Sequence, residues 1–199
     1  MVNDPWEEYN RSIYSFNNGF DKAIARPLAK TYEKITSESV QNCVSSFFGN
    51  LREPGTAVNQ TLQGEPLNSL RTIGRFVINT TVGIAGLYDP ASYFGISKGY
   101  EDFGQTLAVW GWQDSRYLVV PLLGPRTVRD TASIVGDQPL SAIGYVENGS
   151  VMLGLNIMQL TDARTRALPF DEIRSQSIDE YVMVRDAWMK KRATQITKD

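Results

Sequence analysis

The run Asn79-Thr80-Thr81-Val82-Gly83-Ile84-Ala85-Gly86 sets one amide, two hydroxyls and two glycines inside a segment, 76–88, that carries no charged side chain. Such groups do no acid–base work. They hydrogen-bond to a ligand or to backbone. Beside Phe76, Val77 and Ile84 they give a surface with one polar and one apolar side. Gln105 and Thr106 repeat the pattern inside the uncharged run 103–113, and Arg116 stands just before another at 117–125. This inventory suits the handling of an amphipathic molecule, not the making or breaking of bonds.

Other chemistries lack their reagents. The chain has no histidine, so a Ser-His-Asp triad and the usual zinc sites are excluded. No spacing singles out a carboxylate pair. Asp102-Phe103-Gly104 spells the magnesium motif of kinases, but no Gly-rich phosphate loop or His-Arg-Asp accompanies it. It reads as a helix cap with Phe103 buried. No catalytic residue, metal ligand or cofactor is expected, and a lipid-cleaving enzyme is set aside because the chain has no histidine and is read as having no Gly-x-Ser-x-Gly elbow. The four Asn-x-Ser/Thr sites, at Asn10, Asn59, Asn79 and Asn148, read as coincidences of a short pattern. Cys43, the single cysteine, lies on an apolar face between Val40 and Phe47 and reads as a buried thiol.

The elements that must position these groups are mostly helices. Asp4-Pro5-Trp6-Glu7 predicts a capped start, with Asp4 as cap, Pro5 in the first turn and Glu7 closing the box. Trp6, Tyr9, Ile13, Phe16, Phe20 and Ile24 then recur three or four apart, opposite Glu8, Arg11, Asn18, Lys22 and Ala25. Pro27 ends or kinks this helix. A second pattern, Val40 to Leu51, stops before Pro54. A third, with Val58 and Leu62, stops at Gly64, and a fourth runs from Pro66 through Val77. The centre, 83–124, is Gly-rich and broken. It holds a capped turn at Asp89-Pro90, a short helix ending near Gly111 and a β-like Tyr117-Leu118-Val119-Val120 cut by Pro121. A short helix follows at 125–135, then longer ones at 151–168 and 177–196. The last ends in Lys190-Lys191-Arg192, which reads as a solvated helix end, with contact to anionic headgroups or an acidic partner as the alternative. The expected class is all-α, in a single domain over 1–199.

The chain of 199 residues is 42 % hydrophobic and 21 % charged, with 20 Lys plus Arg against 22 Asp plus Glu. Its mean hydropathy is −0.27, against a polytopic helical membrane protein. There is no basic excess to suggest nucleic acid. Aromatics at 11 % suit a lipid–water boundary and a packed core equally. The start shows neither a basic region nor an apolar one, so no signal peptide is read here. Each uncharged run, including 90–97, is shorter than the roughly 20 residues of a span. In a soluble domain these runs would be the core. At membrane depth, irregular backbone is tolerated where it is buried in protein or lines a watery cavity.

"DPWEEYNRSIYSFN" (4–17), "NLREPGTAVNQTLQG" (50–64), "RFVINTTVGIAGLYDPA" (75–91) and "EDFGQTLAVWGWQDSRYLVVPLLGPRTVRD" (101–130) resemble the MlaA/VacJ family of bacterial lipoproteins. The resemblance runs in order from about Asp4 to the "DEYVMVRDAW" helix at 179–188. It implies an outer-membrane lipoprotein of Gram-negative bacteria, lipid-anchored in the periplasmic leaflet. The implied fold is a single ring-like domain of amphipathic and short broken helices around a central channel, with Gly-rich loops. The implied function is removal of mislocalised phospholipid from the outer leaflet, through an amphipathic channel, to a soluble periplasmic lipid carrier and on to an inner-membrane ABC complex. A trimeric outer-membrane porin is the implied scaffold partner. The lipid-bearing cysteine expected before Asp4 is absent, so residues 1–3 read as an added start and 190–199 as a basic tail. The chain also departs at Ser46-Phe47-Phe48 and at Asp114-Ser115-Arg116. On this resemblance the channel-lining or lipid-binding positions are Asn79, Thr80, Thr81, Gly83, Gly86, Gln105, Thr106 and Arg116. The membrane-facing ones are Phe16, Phe20, Phe76, Phe94, Trp110 and Trp112. Arg75, Asp89, Arg129 and Asp130 are expected to pair or cap. The alternative is a non-conducting adaptor between porin and carrier.

Overall fold

The computed structural model describes residues 4–113 and 115–198, so the expectation for residues 1–3 and Asp114 of the departing turn lie outside the described residues. The chain opens on α1, Glu7–Phe20, which passes through a five-residue π-helical turn, Asp21–Ala25, into α2, Arg26–Ile35. Pro27 neither ends nor breaks this run: it follows directly on the π turn, in the first turn of α2. The π turn has a consequence for the surface. Phe16, Phe20, Ile24 and Leu28 are spaced four apart, and in a plain α-helix such a stripe drifts by ~40° at each step. The wider turn between them counters the drift, and all four remain exposed together. The predicted box does not form: the residue before α1 is Trp6, with no side-chain cap bond. Asp4 instead reaches the other end of the chain, accepting from Tyr181 at 2.5 Å and Arg185 at 3.2 Å.

α3, Glu38–Leu62, is one helix of 25 residues with Pro54 inside it, not the two that were expected. Pro54 costs a local bond and is exposed, but the buried face of the helix, with Asn50, Glu53, Thr56 and Gln60, is fixed by tertiary partners. Gly64, at φ 80°, turns the chain into α4, Pro66–Thr81. The two helices run antiparallel, as the side-chain bonds Thr61–Ser69, Gln60–Thr72 and Asn50–Thr80 require. α5, Pro90–Tyr93, is capped by Asp89, and α6, Phe103–Val109, by Asp102. The Asp102 cap agrees with the sequence reading, although Phe103 is only half-buried.

β1, Tyr117–Val120, and β2, Gly124–Thr127, pair antiparallel, the one sheet among the described residues in an otherwise all-α fold. Pro121 lies in the turn rather than interrupting a strand. The free edge of β1 is covered by amide side chains of α1. Asn10 donates to Tyr117 O and accepts from Val119 N at 2.8 Å, and Asn17 does the same for Val120 O and Leu122 N. That caps an edge which would otherwise invite another strand. The short α7, Val128–Ala132, and α8, Ile134–Asp137, follow, where one helix was expected. After 3-10 turns come α9, Gly149–Ala167, α10, Phe170–Ser175, and α11, Glu180–Thr197. α2 packs on α9 through Ala29, whose carbonyl accepts from Thr165.

Buried polar side chains outnumber buried apolar ones among the described residues. The conventional core is a small cluster of Tyr117, Val119 and Tyr181, with Ile13, Tyr14, Val182, Trp188 and Met189 against it. The α3–α4 seam is made of Asn50, Glu53, Thr56, Gln60, Ser69, Thr72, Arg75 and Asn79, all under 7 % exposed. Leu67, Leu70, Ile73 and Val77 of α4 are exposed on its other side. Cys43 is half-buried rather than buried.

Candidate functional site

Arg75 is the centre of the seam. It is fully buried, and its guanidinium reaches Glu53 at 3.0 Å and Asp89 at 2.8 Å, and also the Ile96 carbonyl. Three chain segments meet on this one side chain, so the irregular stretch between α4 and α6 is pinned to α3. Burial pushes the Glu53 carboxyl above the usual carboxylate range, and Arg75 only partly offsets it. Burial pushes Asp89 up too, but hydrogen bonds from Ser92, Lys98 and Asn79 outweigh it and hold that carboxyl well below its usual range.

Asn79, 3 % exposed, belongs to this network: it donates to Asp89 and accepts from Ala91 N. Thr80 is exposed and accepts from Asn50, and Thr81 is exposed and bonds back to Val77 O. Ile84, Ala85 and Gly86 take three successive left-handed conformations, which reverse the chain after α4. Gly86, at φ 86°, lies against Asn50, where a Cβ would come within 2.6 Å of that side chain. Gly83 is packed against backbone carbonyls of Asn79 and Tyr88. These five positions therefore close a turn. Gln105 and Thr106 are inside as well, Gln105 donating to Tyr100 O and Thr106 to Asn59. Arg116 is exposed, with its guanidinium 5.7 Å from the Trp6 ring. Among the six residues expected to face a bilayer, Phe16, Phe20, Phe94, Trp110 and Trp112 are at least 41 % exposed. Phe76 differs and is half-buried.

A cavity of about 430 Å³ lies between α6, the hairpin and α11. Its walls are apolar at Ala108, Val109, Met189 and Ile196 and polar at Gln113, Ser115, Thr127 and Arg129. None of the eight residues expected to line a channel borders it, though Gln105 and Thr106 share α6 with its wall. Arg129 donates to the carbonyls of Trp112 and Gln113 and, at 3.4 Å, to Asp130. Thus Arg75, Asp89, Arg129 and Asp130 all pair as expected.

Sequence reasoning missed two features here. Arg192 is not part of a solvated helix end: it is 7 % exposed and grips Asp102 and Asp130. Its basic neighbours hid it, since only a helical register could have shown which of the three turns inward. Gly95-Ile96-Ser97-Lys98-Gly99 was also passed over, although it spells the elbow of serine hydrolases. Ser97 is exposed in irregular chain, not on a strand-to-helix turn, and the protein has no histidine to activate it. No group of metal-ligating side chains occurs among the described residues.

Apolar side chains outward, polar ones inward and an amphipathic cavity define a helical protein built for a lipid boundary. No described helix is long and apolar enough to cross a membrane. The chain belongs to the MlaA lipoprotein family, whose family model matches residues 2–195. It is 38 % identical over 198 residues to an uncharacterised protein of Rickettsia typhi, covering 98 % of this chain and 78 % of that one. It is 31 % identical over 192 residues to the intermembrane phospholipid transport system lipoprotein MlaA of Escherichia coli, covering 94 % and 76 %. A solved structure from work described as "Structural basis for maintenance of bacterial outer membrane lipid asymmetry" superposes with a TM-score of 0.85 at 29 % identity, over 97 % of this chain and 98 % of that one.

Proposed function

We propose that this protein takes mislocalised phospholipid from the outer leaflet of a Gram-negative outer membrane and passes it to a soluble periplasmic lipid carrier. It sits in the periplasmic leaflet beside a porin, with its exposed apolar side chains against lipid. No covalent step is involved. A phospholipid that leaves its leaflet unaided must drag charge through hydrocarbon, at a cost of several kcal/mol. A passage with one polar and one apolar wall removes that cost. The observation that carries the reading is the cavity, whose lining joins the polar Arg129, Gln113 and Ser115 with the apolar Met189, Ile196 and Val109. The turn held by Asn79, Gly83 and Gly86, with Thr80 and Thr81 exposed beside it, lies outside the cavity and closes the α3–α4 seam.

Ala193 is exposed and borders the cavity, so a large side chain there fills the space without a packing cost elsewhere. Ala193→Trp is expected to raise surface phospholipid in cells that depend on this protein, with porin co-purification unchanged. Thr81→Trp, away from the cavity, is expected to do less. Lost asymmetry with Thr81→Trp alone would move the passage to the end of α4. Preserved asymmetry with both would leave the non-conducting adaptor as the better reading.

A further inference from the structure

The two halves of α11 are held by different forces. The first is fixed by packing: Tyr181 is buried against Tyr117, and Trp188 meets the same ring at 6.2 Å. From Lys190 onward no apolar side chain of the helix is buried among the described residues. Yet this second half supplies Arg192, Ala193, Ile196 and Thr197 to the wall of the cavity. What ties it down is charge. Arg192 lies 2.7 Å from both Asp102, at the start of α6, and Asp130, on α7, with a further contact at 3.2 Å. Lys198 adds a surface tie to Gln63 and Glu65. Gly104 makes room for the junction, since a Cβ there would overlap Asp130 and Arg192.

We infer that Arg192 is a positioning residue that fastens the second half of α11 across the cavity, so that releasing its ion pairs opens the cavity while the rest of the fold stays closed. The functional meaning rests on the cavity being the lipid passage; the helix movement does not. Asp130 is 5 % exposed at its side chain, and Arg192 is 9 %. Losing the cation leaves the buried Asp130 carboxylate beside Asp102 with only the Thr127 hydroxyl and Arg129 at 3.4 Å, and no buried apolar side chain holds this part of the helix against that repulsion.

The test is thiol labelling of the full-length chain in mild detergent, with Cys43→Ser as background. Ala108→Cys reports on the cavity wall and is 1 % exposed, and Ala29→Cys, fully buried beneath α9, reports on the remainder. Arg192→Gln is expected to speed maleimide labelling of Ala108→Cys by roughly a hundredfold, with Ala29→Cys unchanged. Asp102→Asn, which keeps the α6 cap, gives a smaller increase and serves if Arg192→Gln does not fold. Exchanging the charges, Arg192→Asp with Asp102→Arg, is expected to restore part of the slow labelling. Unchanged labelling of Ala108→Cys, or equal acceleration at both sites, overturns the inference. Neither outcome bears on whether Ala193→Trp blocks lipid, so the two ideas fail separately.

Discussion

Replacing Arg75 with methionine keeps much of the side-chain volume and removes the charge. Arg75 is fully buried and has two carboxylate partners, Glu53 at 6 % side-chain exposure and Asp89 at 16 %. Removing one member of a buried, hydrogen-bonded ion pair costs ~3–5 kcal/mol, because the partner's charge is left without compensation. Asp89 keeps Lys98, Asn79 and Ser92, so most of the loss falls on Glu53 and on the Ile96 carbonyl. Against a total stability of about 5–15 kcal/mol this is a large fraction. For a chain of this length it corresponds to a midpoint lower by roughly 10 °C. The assay is thermal unfolding in mild detergent followed by circular dichroism. Glu53→Gln keeps an acceptor for Arg75 and removes a charge that burial already disfavours, so it should cost only about 1–2 kcal/mol. The double variant should recover part of the Arg75→Met loss, with a coupling of about 0.5–3 kcal/mol. A cost under ~1 kcal/mol for Arg75→Met, or strictly additive effects, would refute the keystone role.

Two further outcomes follow from the seam and the charge junction. The surrounding protein pushes the Asp102 carboxyl up, but the hydrogen bonds and charge of Arg192 outweigh this and hold it below its usual range. A lowered carboxylate contributes stability that is present above its unfolded value, about 4, and lost as pH falls through the folded one. The difference in melting point between wild type and Asp102→Asn should therefore be largest near neutral pH and shrink under acid, and parallel curves would count against it. Gly86→Ala should cost more than about 2 kcal/mol, since the left-handed backbone alone costs ~1–2 and Asn50 blocks the new methyl. Gly64→Ala is the control, with φ 80° and nothing within 4 Å, and should cost the backbone part only when both are compared by denaturant unfolding.

Much of the local structure was legible in the chain. The α1 periodicity, the Asp89 and Asp102 caps, the Gly64 stop and the long helices α4, α9 and α11 follow from short-range rules, and they appear where those rules put them. The absence of histidine excluded whole classes of chemistry before any fold was known. The outward direction of the aromatics at Phe16, Phe20, Trp110 and Trp112 came from family resemblance, because periodicity shows that a face is apolar but not which way it points. Tertiary contacts decided what spacing cannot. Pro54 was tolerated because α3 is held along its length by partners on α4, which a local propensity does not see. The short β1 strand is completed by Asn10 and Asn17, more than a hundred residues away in sequence. Three of the four apparent glycosylation sites, Asn10, Asn59 and Asn79, are instead buried ligands of the fold itself. The polar groups of the uncharged central run were recognised, yet most turned out to close a seam, while the cavity formed where α6, the hairpin and α11 converge. An amide or hydroxyl has the same spacing whether it meets a lipid or a neighbouring helix. Only the fold determines which partner is within 3 Å, and that choice separates the polar groups that close the seam from those that border the cavity.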